Sequence, residues 1–270
     1  MPSTRPNWGI VAIGFIVCLL PEIAGCGTSG SQPIPSSEAR VVNALVGVSY
    51  PGTNTNPDAV NVTTIAAAQQ TVVNGNLSFA DIPFGAASTY MPAYSGVTTI
   101  SVVPSGGNIP LISGQQFTIP ANTAQTLILV GVLKGTPAPQ IVPLTDTFPT
   151  FPSSPAPTTA ALRIVNLSPD SPPLDLYAST TANAAGMPIA GLTNITYLNA
   201  SNYAPVSISS SSTLTLTVHN STTGALIASN TLKLGAILTA GHSYTALLIG
   251  MMNPLNIHQE AFDVRILLDN

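Results

Sequence analysis

The chain repeats itself. Arg40-Val41-Val42-Asn43-Ala44 lines up with Arg163-Ile164-Val165-Asn166-Leu167, and Asp58 to Val62 lines up with Pro172 to Leu176. Ala87-Ser88-Thr89-Tyr90-Met91-Pro92 then matches Ala200-Ser201-Asn202-Tyr203-Ala204-Pro205, and the apolar run ending at Gly131 matches the one ending at Gly250. The order of the four matches is kept while the spacing between them varies, so the sequence encodes two similar units whose loops differ in length. Phe148 to Thr159 (FPTFPSSPAPTT) separates them, and its four prolines read as a semi-rigid connection.

Both units read as β-structure. Thr213 to Val218 alternates between Thr and apolar residues, and Val97 to Val103 is a looser equivalent. Gln125 to Leu133 and Tyr244 to Met251 are nearly continuous apolar runs, the pattern of a central strand covered on both faces. Turn signals such as Ser105-Gly106-Gly107-Asn108 and Thr222-Thr223-Gly224 lie between β-branched stretches. Ala66 to Gln70 and Thr181 to Ala185 have room for one helical turn each and no more. The expected fold class is all-β: two tandem immunoglobulin-like β-sandwich domains, each complete enough to fold by itself, following a lipoprotein signal peptide.

That signal occupies 1–25. Gly9 to Leu20 is an apolar stretch too short for a bilayer, which takes about 20 residues, but suited to the core of a signal peptide. Ile23-Ala24-Gly25-Cys26 follows and resembles the bacterial lipobox, in which the Cys thiol receives diacylglycerol. Residues 26–37 then form the lipidated Cys and a flexible tether, 38–147 domain 1, 148–159 the linker and 160–270 domain 2. Gly27 in place of Asp implies, by the same resemblance, that the inner-membrane retention signal is absent. The expected location is the bacterial cell envelope, lipid-anchored, at the outer membrane. Cys18 leaves with the signal peptide, so no disulfide within the chain is expected.

The second unit opens with Arg163-Ile164-Val165-Asn166-Leu167-Ser168-Pro169-Asp170-Ser171-Pro172-Pro173-Leu174-Asp175-Leu176-Tyr177, and closes on Ala240-Gly241-His242-Ser243-Tyr244-Thr245 before its last apolar strand. This is similar to the signature of the DUF4397 family, a domain of unknown function of bacterial envelope and secreted proteins. The resemblance implies an extracytoplasmic β-sandwich module and no established chemistry. The first unit departs from it: its turn is expanded over Val48 to Pro57, and Asn61 stands where the second unit has Asp175. Any function resting on that Asp would be missing from the first unit.

Candidate chemistry is sparse. With six Lys and Arg against ten Asp and Glu, the chain has no electrostatic footprint for nucleic acid. A hydrophobic content of 45% at a net charge of −4 excludes a disordered polyelectrolyte. Asp170 and Asp175 form an acidic pair that could either bind a cation or cap turns, and the prolines around them favour the second reading. His219, His242 and His258 have no metal-ligand partner at the usual spacings, so no metal or cofactor is expected. Neither a nucleophile elbow nor a Ser-x-x-Lys motif occurs, and no catalytic residue is assigned. Tyr50, Tyr90, Tyr94, Tyr177, Tyr197 and Tyr203 could stack on sugar rings. The equivalent repeat positions of Tyr90 and Tyr203 point instead to a shared structural job. The expectation is therefore a non-enzymatic envelope lipoprotein with a structural or adhesive role. The expected partners are the membrane, through its anchor, and an envelope protein or polysaccharide. The alternative is a carbohydrate- or polymer-binding module at the cell surface.

Overall fold

The computed structural model describes residues 37–48, 58–66, 77–154, 157–179, 186–208, 215–227, 232–233, 238–255 and 259–269. The lipobox, Tyr50, His258 and the two stretches with room for a helical turn (apart from Ala66, which ends a strand) lie outside them. Among the described residues the regular structure is entirely β. In the first copy the strands are β1 (Ser37–Val46), β2 (Val60–Ala66), β3 (Ser78–Ile82), β4 (Met91–Ala93), β5 (Gly96–Pro104), β6 (Ile112–Ile119), β7 (Ala124–Val132) and β8 (Gln140–Asp146). In the second they are β9 (Thr159–Asn166), β10 (Leu174–Ser179), β11 (Met187–Pro188), β12 (Ala204–Ser207), β13 (Thr215–Asn220), β14 (Leu232–Lys233), β15 (Ser243–Ile249) and β16 (Asp263–Leu268).

The sequence repeat is a topological repeat. The first copy builds sheets in the order β4-β1-β7-β8 and β3-β2-β5-β6, and the second builds β12-β9-β15-β16 and β11-β10-β13-β14, strand for strand the same order. Each copy is thus a two-sheet β-sandwich, as the alternating patterns predict. Within that architecture the strand order is its own. The first two strands of an immunoglobulin constant domain pair in one sheet, whereas here β1 lies between β4 and β7 and β2 belongs to the opposite sheet. The β1–β7 and β9–β15 pairs are parallel, and the other strand pairs are antiparallel.

Side-chain parity shows how the layers stack. Along β1, Ala39, Val41 and Leu45 point into the core of the first sandwich with Leu127 and Leu129 of β7 and Ile100 and Val102 of β5. The intervening residues, Val42 and Ala44, with Ile128 and Val130 of β7, point the other way. They meet Val165 of β9, Leu167, and Leu247 and Ile249 of β15 in a third core shared by the two copies. On the far side, Leu162, Ile164, Ala246 and Leu248 close the core of the second sandwich with Leu174, Leu176, Leu216 and Val218. The molecule is therefore four sheets deep, and the two inner sheets are buried on both faces. This accounts for the unbroken apolar runs of β7 and β15. It also changes the expectation that each copy stands alone: every sandwich keeps its own core, but one face of each is apolar and depends on the other copy for cover.

Candidate functional site

The seam between the two inner sheets holds the most concentrated polar chemistry among the described residues. Arg40 enters it from β1 and Arg163 from β9, each 3% exposed. Each Arg finds its counter-ion on the other copy: Arg40 Nη2 donates to Asp269 Oδ1 at 2.5 Å, and Arg163 Nη2 donates to Asp146 Oδ1. Asp146 ends β8 and Asp269 directly follows β16, the last strands of their copies, and both carboxylates are fully buried. Within each copy a tyrosine and a threonine complete the set. Tyr90 donates to Asp146 Oδ2 at 2.8 Å and Tyr203 to Asp269 Oδ2 at 2.8 Å. Thr126 and Thr245 donate to the same oxygens at 2.7 Å each, while accepting Nε–H of Arg40 at 2.9 Å and of Arg163 at 2.8 Å.

The guanidinium of Arg40 lies 4.6 Å from the ring centre of Tyr90, and that of Arg163 4.8 Å from Tyr203. The path Arg40, Asp269, Tyr203, Arg163, Asp146, Tyr90 closes on itself. Two positive and two negative charges sit inside with every carboxylate oxygen bonded, the condition under which buried ions are tolerated. Burial raises the Tyr90 and Tyr203 phenols far above the ordinary tyrosine value, and their neighbouring carboxylates add to this. Burial opposes the charge on Arg163, but the fields of Asp146, Tyr203 and Asp269 outweigh it, so its net shift is upward. The contacts exchange between the copies in the reciprocal pattern of a two-fold interface.

The remaining polar residues of the repeat hold local structure. Asn43 and Asn166, both fully buried, clamp the loops that follow their strands. Their amides donate to the carbonyls of Ile82 and Ile195, both at 3.0 Å, and their oxygens accept the N–H two residues on. Ser88 and Ser201 accept the N–H of Val41 and Ile164. Asp175 accepts Asn194 N–H at 2.7 Å, and Asn61 accepts Asp81 N–H at 2.8 Å. Asp81 and Asn194 have φ of 51° and 57°, a left-handed geometry that this side-chain acceptor supports in both copies. Asn61 therefore supplies the same backbone acceptor as Asp175. Asp170, at the surface, accepts Met252 N–H at 2.7 Å and Asn253 N–H at 2.8 Å. The two acids are engaged separately, each capping backbone of a different loop.

His219 is also interior. It is 6% exposed, stacks on Tyr177 at 4.0 Å, and contacts Gly224 O through Nδ1 and Thr217 Oγ1 through Nε2. Since a carbonyl can only accept, Nδ1 carries the proton. The threonine-bearing face of β13 is therefore covered rather than solvated. His242 borders an open groove of about 320 Å³ with Thr239, Tyr244, Ile266 and Leu268. Among the described residues no three His, Cys, Asp or Glu converge as metal ligands would. Glu260 reaches across the copies to accept Gly47 N–H at 2.7 Å, and burial raises its carboxyl above the usual glutamate range.

Sequence reasoning missed Asp146, Asp269, Thr126, Thr245 and Glu260. A signal for the two aspartates was present. Leu144-Thr145-Asp146 and Leu267-Leu268-Asp269 share a Leu-x-Asp ending, but the strands carrying them are otherwise dissimilar.

No curated protein matches the chain. Solved structures with some similarity to the chain include the fimbrial anchor protein Mfa2 from Porphyromonas gingivalis, at 12% identity and a TM-score of 0.27 over 86% of this chain and 98% of that one. Another is the family 26 carbohydrate-binding module of Amy13K from Eubacterium rectale in complex with maltoheptaose, at 10% identity and a TM-score of 0.26 over 86% and 97%. Likeness at these scores carries no argument. The family comparison does. The model of the domain of unknown function DUF4397 matches residues 53–177 and again 160–263, and the repeated residues within and around those spans are the ones that build the seam and the loop clamps. The chain belongs to the DUF4397 family.

Proposed function

We propose that this is a non-enzymatic lipoprotein of the bacterial cell envelope, held to the membrane through Cys26 and serving a structural or adhesive role. The observation that carries the reading is the use made of the polar set that recurs within the repeat. The arginines, asparagines, tyrosines and aspartates shared by the copies all bind backbone or one another inside the protein. What such a body offers is a four-layer unit suited to spacing or presenting a surface. Ile23-Ala24-Gly25-Cys26 and the tether to Ser37 supply the attachment. Several acyl chains, each CH₂ contributing about 0.8 kcal/mol, hold a protein on a membrane almost permanently.

Radiolabelled palmitate tests the anchor. Label should enter the wild-type chain and not Cys26→Ser, and equal labelling contradicts the assignment. The alternative, a polysaccharide-binding module, draws on the groove beside His242. Retention on envelope polysaccharide that is lost on His242→Ala and Leu268→Ser would favour it over the structural role.

A further inference from the structure

Because the seam is reciprocal, each copy carries both halves of the pairing chemistry: an Arg that seeks an Asp on another module, and an Asp that seeks an Arg. The ring would close equally well between two first copies or two second copies, since Arg163 would then meet a second Asp269 in place of Asp146. The charges do not choose the partner.

The packing beside them does. Gly85 (φ 74°) lies against the second copy so closely that a Cβ there would stand 2.8 Å from Ile249 Cδ1 and 3.1 Å from Arg265 Cγ. Its repeat equivalent is Leu198, with nearly the same backbone at φ 66°, and that side chain packs into the shared core. Across the seam the equivalent of Arg265 is Val142: both pair in register with the central strand, Arg265 with Leu247 and Val142 with Ile128. The large residue at 265 thus faces the residue without a side chain, and the large residue at 198 belongs opposite the smaller valine. Two second copies would bring Leu198 against Ile249 and Arg265, whose side chains already have to shift to admit a Cβ at the equivalent Gly85. Two first copies would leave Gly85 opposite Val142 with space between them.

We infer that the seam face is a docking surface for a second copy of the same module. The Arg–Asp exchange lets any copy dock, and the Gly85–Arg265 and Leu198–Val142 size match selects a first copy against a second. The chain is its own preferred partner, because the linker keeps the matched copies at high effective concentration. Like-with-like association between neighbouring chains is disfavoured by shape, not by charge.

Two variants of the unlipidated chain 27–270, both freed of the size match, test whether the Arg–Asp exchange by itself decides which copies dock. Both carry Leu198→Gly, which relieves the second copy's own clash, and both exchange one Arg for Asp and one Asp for Arg. R163D/D146R keeps opposite charges facing each other within the chain. R163D/D269R sets the new carboxylate at position 163 against Asp146, and the new guanidinium at position 269 against Arg40, within the chain. It restores both pairs only when two chains dock second copy to second copy and first copy to first copy. Light scattering after size exclusion should give the first variant the mass of one chain and the second the mass of two, both with β-rich circular dichroism. The inference is overturned if both variants share one oligomeric state. It is also overturned if R163D/D146R folds and R163D/D269R does not, since the second variant then fails to use the like-with-like arrangement that pairs its seam charges.

Discussion

Replacing Asp146 with Asn removes one charge from the seam at almost no change in volume. The wild-type carboxylate is fully buried and accepts from Arg163, from Tyr90 at 2.8 Å and from Thr126 at 2.7 Å. An amide in its place leaves the guanidinium of Arg163, itself 3% exposed, without a counter-ion, and turns one acceptor into a donor aimed at donors. Removing one member of a buried ion pair costs about 3–5 kcal/mol, which is a large share of the roughly 5–15 kcal/mol that holds a folded protein together. For a chain of this size that corresponds to a melting temperature lower by about 10 °C. Urea titration followed by circular dichroism should show the midpoint falling with little change in slope. Removing the partner as well, in the apolar double variant D146L/R163M, should recover most of the loss. A loss below about 1 kcal/mol for Asp146→Asn would refute the claim that Arg163 depends on this carboxylate in a buried seam.

Three further outcomes follow from single residues. Tyr197 has a buried hydroxyl with no hydrogen-bond partner among the described residues and a phenol raised to about 12 by burial, whereas the first copy has Phe84 at the equivalent place. Tyr197→Phe should leave stability unchanged or raise it by about 1 kcal/mol in the same titration. Gly85→Ala adds a methyl where the backbone is left-handed and Ile249 Cδ1 is 2.8 Å away, so it should lower stability by about 1–3 kcal/mol. Glu260 has a folded-state pKa above its unfolded value, so its neutral form favours folding and that contribution is lost as pH rises through the folded pKa. Glu260→Gln should therefore gain stability relative to wild type at pH 7 and show no gain at pH 4, as measured by thermal melts at the two values.

The sandwiches could be read from the sequence because a strand with one solvated face alternates. The alternation of buried and half-buried residues along β5 is the pattern its side chains predict. The seam was only half legible. Arg40, Arg163, Tyr90 and Tyr203 stood out as repeated residues, but a repeat does not say whether a residue faces its own copy or the other. The informative cue was Arg-Val-Val-Asn-Ala-Leu-Val in β1, an apolar run in a fold whose strands should show one polar face. Such a run requires something outside the sandwich to cover it, and β1, β7, β9 and β15 are all buried on both faces. Asp146 and Asp269 stayed hidden because β8 and β16 are edge strands with few shared residues, so the repeat fades just before the two positions that close the ring. Asp170 and Asp175 showed the opposite: two acids five residues apart invite a shared site, yet the turn between them points each to a different loop.

The central claim is that the seam, not the linker, joins the two copies into one body. Placing a protease site over residues 152–157 and cutting it to completion in native buffer tests this most directly. The halves should then elute together with the mass of the uncut chain, and come apart only when denaturant is added. Halves that separate on cutting, while each keeps its β-rich spectrum, would contradict the claim.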